Sequence, residues 1–335
     1  RIFVIKNVMK KLFIALLLLA SCTKPQPIEI IDEGLTGRIY KDTTLTNDKE
    51  WLLNGRVSIM SGYTLTIEPG TVIKGKTGTG ANSSCLIITR GAQINAIGTP
   101  TNPIIFTTQE ENVPDAARGL WGGVLILGDA IGSFPGEVEE LQIEGIPAND
   151  TIGLYGGINQ HHNGGILSYV SIRHGGSDIG EGNEINALTL GCVGDCTTVN
   201  NIEIMSNSDD GIELFGGTVN VENLLVWGCA DDFVDVDQGY GGNINNVLLV
   251  PDYVANNTLE LDGGEGFHNP FFNISNIVIK YHENNQMHFR DGVNGSISYQ
   301  GYANVIADPG TNIGIDTLVN LDESIFDWTH YSQNY

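Results

Sequence analysis

The chain of 335 residues carries 40 acidic against 16 basic residues, and 43 of its residues are Gly. This acidic excess excludes a protein that binds nucleic acid through a basic surface, because few cations are left to neutralise phosphates. The lack of a three-residue Gly period excludes collagen, and an apolar content of 41% is enough to bury a core.

The N-terminal segment has the pattern of an export signal. A basic start at Met9-Lys10-Lys11 is followed by an apolar run over residues 12–20 and then by Ser21-Cys22. This run is too short to cross a hydrocarbon core of ~30 Å. We therefore expect residues 1–21 to be a signal peptide, in which residues 1–8 are upstream read-through.

The string Leu19-Ala20-Ser21-Cys22 resembles a bacterial lipobox. The resemblance implies cleavage before Cys22 and a diacylglycerol on its sulfur, which would anchor the protein to a membrane that it does not cross. An ordinary signal peptide followed by an incidental Cys is the alternative. We expect an exported outer-membrane lipoprotein, and the sequence leaves open whether it faces the periplasm or the cell surface.

The segment 22–38 is predicted to be the lipidated Cys and a tether, because it contains Pro25 and Pro27 and few large apolar side chains. Removal of residues 1–21 takes away four basic residues and no acidic one, which leaves 12 basic and 40 acidic residues and a net charge of −28. Such a charge repels anionic membranes and polyanionic substrates, and it attracts cations.

From residue 39 onwards, short alternating runs recur in place of a helical periodicity. Five runs share the pattern apolar, x, Asn or Tyr, apolar, x, apolar: Leu167–Ile172, Val199–Ile204, Val221–Val226, Ile244–Leu249 and Ile274–Ile279. A second alternating run follows each of them: Ala187–Leu190, Gly211–Leu214, Phe233–Val236, Thr258–Leu261 and Gln286–Phe289. Two phased strands per repeat, without a helix between them, are typical of a parallel β-helix.

We therefore predict that residues 39–335 form one all-β domain, a single-stranded parallel β-helix of about ten rungs stacked ~4.8 Å apart. An open terminal rung would expose unpaired backbone N–H and C=O groups that can pair with another chain, so we expect a cap at each end. Residues 39–60 and the aromatic tail 326–331 are the candidate end caps.

Several stretches resemble an uncharacterised family of β-helix lipoproteins found in the Bacteroidota and in marine bacteria: Thr66–Gly75, Trp121–Gly128, Ile143–Pro147, Ile172–Gly176, Gly182–Asn186 and Asp209–Gly217. The resemblance covers most of the mature chain. It implies a pectate-lyase-like, right-handed β-helix, and it carries no activity.

A column of outward-facing side chains is expected along the second strands: Thr189, Glu213, Asp235, Glu260 and His288. Consecutive carboxylates ~4.8 Å apart repel one another, unless some hold protons or a cation lies among them. This column, together with Arg290, is the candidate binding surface for a glycan or other ligand.

The bends before these strands would add Asp209 over Asp231 and Asp210 over Asp232. Oxygen ligands favour Ca²⁺. The candidate metal ligands are Asp209, Asp210, Asp231, Asp232, Glu213, Asp235 and Glu260. The alternative is a solvated acidic face, with Asn and Asp bends that cap backbone groups.

Catalysis is a further alternative. Ser208-Asp209-Asp210-Gly211 followed by Asp231-Asp232 is similar in spacing to the three catalytic Asp residues of polygalacturonases, which share this fold. Asp209, Asp231 and Asp232 are therefore the candidate catalytic residues of a polysaccharide hydrolase or lyase. The Gly-His-Gly and Arg-x-Lys motifs of that family are missing, and the negative charge disfavours an anionic polysaccharide.

We prefer a non-catalytic, glycan- or ligand-binding β-helix, and a purely structural rod is the third interpretation. Cys192 and Cys196 are a candidate disulfide, because an exported protein meets an oxidising compartment; two free thiols are the alternative. The sequence does not indicate an oligomeric state.

Overall fold

The computed structural model describes residues 34–147, 149–179 and 184–335. The predicted signal peptide, the read-through segment and the lipidated Cys22 lie outside the described residues. Across these ranges we find no helix with the length and apolar character needed to cross a membrane.

The described chain folds mainly into short strands. They are β1 Leu35–Ile39, β2 Thr43–Leu45, β3 Trp51–Ile59, β4 Thr64–Ile67, β5 Val72–Gly75, β6 Cys85–Ile88, β7 Gln93–Ile97, β8 Ile104–Thr108, β9 Val124–Leu127, β10 Leu141–Gln142, β11 Leu154–Tyr155, β12 Gly165–Arg173, β13 Leu188–Gly191, β14 Thr198–Met205, β15 Ile212–Phe215, β16 Asn220–Trp227, β17 Val234–Asp237, β18 Asn243–Val250, β19 Leu259–Leu261, β20 Phe272–Ile279, β21 Gln286–Phe289, β22 Asn294–Gln300, β23 Asn304–Ala307 and β24 Asn312–Asp316. A short α-helix, α1, spans His330–Asn334.

Parallel pairing stacks these strands into three faces of a solenoid. Face A runs through β2, β4 and β7 and then the first halves of the long strands from β12 to β22. Face B runs through β5, β8 and the second halves of the same long strands. Face C stacks β1, β3, β6, β9, β13, β15, β17, β19, β21 and β23.

Face C therefore has ten strands among the described residues, one from each coil. This confirms the predicted right-handed parallel β-helix of about ten rungs. Alternate side chains of every strand point into a continuous apolar core. On face C, Leu188 and Leu190 lie next to Ile212 and Leu214 of the following coil, and all four are fully buried. Each such side chain contributes about 1.5–3 kcal/mol to folding.

The corner between faces A and B is a ladder of asparagines in the left-handed backbone region. Asn201, Asn223, Asn246 and Asn276 have φ between 52° and 59°. The side-chain amides of the last three each donate to the Oδ1 of the Asn in the coil before, at 2.9–3.2 Å, whereas that of Asn201 donates to Asn200. Asn tolerates this conformation better than most residues, which explains the third position of the repeat pattern.

Residues 129–147 and 149–163 form an insertion over the outside of face C, which we call the lid. It contains the antiparallel pair β10–β11. Its apolar side chains pack on the outward-facing Leu125 and Leu127. Arg90 ties its edge down, with hydrogen bonds of 2.7 and 2.8 Å to Glu140 and to the Gly156 carbonyl. The outer surface of face C is therefore covered at the N-terminal coils.

The end caps differ from the prediction. The aromatic tail belongs to a C-terminal strap, residues 318–335, which lies along the outside of face B. Phe326 is fully buried against Leu225 and Leu248, and Trp328 packs on Tyr169 at a centroid distance of 5.4 Å. An aromatic tail packs where the coils expose apolar side chains. Here that surface is the outer side of face B and not the end of the solenoid.

The N-terminal boundary also differs from the prediction. Residues 39–60 form strands of the first coils, and β1 begins at Leu35, inside the predicted tether 22–38. Leu35 and Ile39 are partly buried against the core. The low apolar content of β1 and Gly37, which has φ of 65°, hid this strand in the sequence.

Candidate functional site

The predicted acidic column is present on face C. Strand pairing places Thr189, Glu213, Asp235, Glu260 and His288 side by side, one on each successive coil. Exposure increases along the column. Thr189 and Glu213 are buried, with Glu213 7% exposed, whereas the last three are partly exposed. The column therefore runs from beneath the lid into an open surface.

The bend residues fall into two rows with different roles. Asp210 and Asp232 point inward at the corner and are buried. Asp210 Oδ1 accepts a hydrogen bond from the Asp232 backbone at 2.9 Å, and Asp232 Oδ1 accepts one from the Asn257 backbone at 2.7 Å. These acids form the backbone-capping ladder that was the alternative to a metal site. Asp209 and Asp231 form the outer row and are partly exposed.

The ladder uses Oδ1 of each inner carboxylate, and both inner acids also lie close to acids of the column. In three groups of three acids, one oxygen from each side chain lies within 4.8 Å of the others: Asp209, Asp210 and Asp231; Asp210, Glu213 and Asp235; Asp232, Asp235 and Glu260. All seven predicted metal ligands are thus brought together. The groups share members, so the acids form one continuous cluster.

The electrostatics of the cluster favour neutralisation. Burial, reinforced by neighbouring carboxylates, raises the pKa of Asp210, Glu213 and Asp235 well above the ordinary range. Burial and the contact with Glu260 raise the pKa of Asp232 to about 9. At neutral pH such carboxyls either hold protons or need a cation beside them.

Two basic side chains lie at the open end of the column. Burial acts to raise the pKa of Glu260, but hydrogen bonds from Asp232 and Arg290 outweigh it, so the pKa of Glu260 is lowered. His288 Nδ1 lies 3.7 Å from Glu260 Oε1 and its Nε2 lies 3.4 Å from Asp308 Oδ1. The predicted ligand set therefore ends in a patch of mixed charge around Arg290.

Sequence reasoning missed two acids that join the cluster from outside the repeat. Glu144 comes from the lid and Glu184 from the loop before β13, and both line a small cavity next to Thr189. Asp237 and Asp262 follow strands of face C; burial raises the pKa of Asp237 to about 7 and that of Asp262 to about 6. The alternating strand pattern placed Asp237 and Asp262 beside the column in the sequence, whereas no repeat marks Glu144 and Glu184.

The three candidate catalytic acids are placed unequally. Asp209 and Asp231 lie one coil apart at the open edge of the cluster. Asp232 is only 2% exposed, and its Oδ1 is occupied by the backbone and side-chain amides of Asn257, at 2.7 and 2.8 Å. A buried, doubly hydrogen-bonded carboxyl is a poor proton donor to a bound polysaccharide, because the donor must reach the reacting oxygen.

The candidate disulfide is not formed. Cys192 and Cys196 are both free. Cys192 has φ of 46° at the corner after β13 and is fully buried beneath the lid, whereas Cys196 is exposed. Two Cys residues close in sequence pair only when their Cβ vectors converge, and this turn directs one side chain into a core and the other into solvent.

Exposed aromatic side chains border the open part of face C. Tyr253, Tyr281 and Tyr302 follow the face-B strands of three successive coils, at the corner with face C. The rings of Tyr281 and Tyr302 are 6.0 Å apart. Other aromatic side chains lie in the core and cannot contact a sugar, as for Trp121 and Tyr240.

A family model described as a pectate-lyase like beta helix domain matches residues 37–289. This range includes the whole acidic cluster and the lid. A search of curated proteins and a search of solved structures each gave no match.

Proposed function

The chain belongs to the pectate-lyase-like β-helix domain family, and from that premise we propose that it is a non-catalytic envelope protein whose acidic face binds Ca²⁺ and a glycan. The observation that carries the proposal is the continuous cluster of seven carboxylates. They form three overlapping groups, and the oxygens of each group lie close enough together to bind one metal ion. A buried cluster of this kind destabilises the fold unless its charge is neutralised.

The donor set supports Ca²⁺ rather than a transition metal. The cluster offers only carboxylate and amide oxygens, and hard cations with six to eight oxygen ligands select such sites. The net charge attracts cations to the whole molecule. The side chains that would hold the ion are Glu213 and Asp235 of the column and Asp209, Asp210 and Asp231 of the bends.

A glycan is the ligand class that the open surface supports. Exposed tyrosines along the corner provide flat apolar rings for sugar faces, and Arg290 with His288 provides hydrogen-bond donors for hydroxyls. The negative charge favours a neutral glycan over an anionic one. Export, lipidation of Cys22 and location in the outer membrane complete the proposal and depend on the sequence pattern alone.

Calorimetric titration of the chelator-treated protein with Ca²⁺ tests the ion site. We expect binding with a Kd of about 10⁻⁷ to 10⁻³ M. The double variant Glu213→Gln, Asp235→Asn should weaken it at least tenfold. Glu222→Gln removes an exposed carboxylate from face A of the same region and serves as the matched control. Absence of binding by the wild-type protein, or equal binding by the double variant, would refute the Ca²⁺ site.

A neutral-glycan array, probed with and without chelator, tests the ligand. Binding that is lost in Tyr281→Ala, with an unchanged melting temperature, would support the proposed surface. Failure to bind any glycan would favour the purely structural rod.

One observation favours a hydrolase or lyase as the second candidate. Burial and neighbouring acids raise the pKa of Asp209 to about 7, while the pKa of Glu260 on the same face is lowered, and separated values of this kind are typical of an acid and base pair. Sugar release from a glycan panel by the wild-type protein, abolished in Asp231→Asn, would replace the binding proposal with this one.

A further inference from the structure

Two carboxylates reach the acidic column from outside face C. Glu144 belongs to the lid and Glu184 to the loop before β13. Both line the small cavity between these segments and the column, together with Thr189 and Asn186. The charge of Glu144 acts on Glu213, the first acid of the column, and raises its pKa. Oxygen-bearing side chains from three separate segments therefore lie around the covered end of the column.

An unpaired side-chain oxygen lies at the same place. Asn186 is 3% exposed, and its Nδ2 donates to Glu213 and, at 3.4 Å, to Thr189 Oγ1. Its Oδ1 is buried and has no hydrogen-bond partner among the described residues. Asp235 Oδ1, on the adjacent coil, is likewise buried without a partner. Buried polar atoms are nearly always paired, so these two oxygens call for a hydrogen-bond donor or a cation that the described residues do not supply.

The contact between lid and column combines two opposing contributions. Ile143 of the lid belongs to one apolar cluster with Leu125 of face C and with Ile179, which lies outside the lid, and this favours docking of the lid. The adjacent Glu144 lies near enough to Asp209 and Glu213 to raise the pKa of both, which opposes docking as long as these groups are charged. Glu144 is an exposed residue, and partial desolvation of its carboxyl raises its pKa. A cation among these oxygens would convert the repulsion into attraction.

We propose that Glu144, Glu184 and Asn186 complete the cation site from outside, so that divalent-cation binding and docking of the lid on face C are one coupled equilibrium. This inference rests on the proposed function, because it requires a cation at the acidic cluster. It adds ligands from outside the repeat, and it makes the lid a cover whose position depends on the ion. The part of the column that the lid covers would then depend on the Ca²⁺ concentration.

Hydrogen exchange of the full protein, in chelator and at saturating Ca²⁺, tests the coupling. The reporter is the amide of Ile143, which donates to the Gly153 carbonyl within the lid at 2.8 Å. If docking is fully coupled to the ion, exchange at this amide slows by up to about 100-fold at 100 times the Kd. Core amides of face B, such as that of Val247, should change much less.

Variants separate the inference from the proposed function. Glu144→Gln should make lid exchange insensitive to Ca²⁺ and weaken Ca²⁺ binding, whereas Glu139→Gln, an exposed acid of the same lid, should behave as the wild type. If Ca²⁺ binds but lid exchange is unchanged, or if Glu144→Gln responds as the wild type, the coupling is overturned and the cluster site stands. If Ca²⁺ does not bind at millimolar concentration, both proposals fail.

Discussion

The metal-free protein should lose stability as the pH rises, and Asp237 gives the magnitude. Burial raises its pKa from 3.8 to about 7, against the hydrogen bond of 2.5 Å that its carboxylate accepts from the Gln238 backbone. An acid whose pKa is higher in the folded state is favoured in its protonated form. Its contribution is fully present below pH 3.8 and is lost as the pH rises through about 7.

The rise from 3.8 to about 7 corresponds to about 4 kcal/mol of unfolding free energy for this one group. Between pH 5 and pH 8 the loss is about 3 kcal/mol, because part of the effect occurs below pH 5. Asp209, whose pKa is also raised to about 7 by burial and nearby acids, acts in the same direction. The stability of most proteins is about 5–15 kcal/mol, so the effect is large enough to measure.

Urea unfolding at several pH values between 5 and 8, in chelator, measures the slope. Asp237→Asn keeps an acceptor for the Gln238 amide but cannot ionise, so its unfolding free energy should fall by about 3 kcal/mol less than that of the wild type. Glu222→Gln should keep the wild-type slope, since that side chain is exposed. Parallel profiles for wild type and Asp237→Asn, or stability that increases with pH, would show that the reasoning is wrong.

Four further outcomes are expected. Asp232→Asn should change the free energy of unfolding at pH 7 by less than about 1 kcal/mol, because burial keeps the pKa of Asp232 at about 9 and Asn retains the acceptor of the ladder. Asp232→Ala removes that acceptor and should cost about 1–3 kcal/mol. Equal losses in the two variants would contradict this. Asn223→Ala should cost more than Asn223→Gly, by about 1 kcal/mol, since only Gly suits φ of 59°; the reverse order in thermal unfolding would exclude backbone strain. Phe326→Ala should destabilise by about 3 kcal/mol in urea, and a loss below 1 kcal/mol would mean that the strap does not contribute to folding. A thiol reagent should modify exposed Cys196 rapidly and Cys192 only on unfolding; protection of both in mass spectrometry would restore the disulfide.

The coil architecture and the acidic column were predictable because the repeat encodes them. When strands recur with a fixed spacing, residues one repeat apart become neighbours, so alignment of Glu213 with Asp235 in the sequence is alignment in space. The same spacing revealed the Asp210 and Asp232 rows. It also contained the Asn ladder, although the left-handed conformation that selects Asn is a backbone property that the alternating pattern does not show.

The lid and the strap were not predictable because they lie outside the repeat. Glu144 acts electrostatically on Glu213 although 69 residues of chain separate them, and no periodicity connects the two. The strap was recognised as aromatic, but its docking site depends on which outer surface the coils leave apolar, and Leu225 and Leu248 provide it on face B. The direction of the Cys192 side chain depends on one positive φ angle, which the composition does not reveal.

A stack of coils can come apart one layer at a time from either end, but the C-terminal strap resists this from its own end. It touches Lys280 through Glu323, then the outer side of β16 and β18, and finally Asp115 through His330. Unfolding of the last coils therefore requires the strap to dissociate from strands that lie much earlier in the chain. A mechanical load applied to the strap would therefore be distributed over several coils at once.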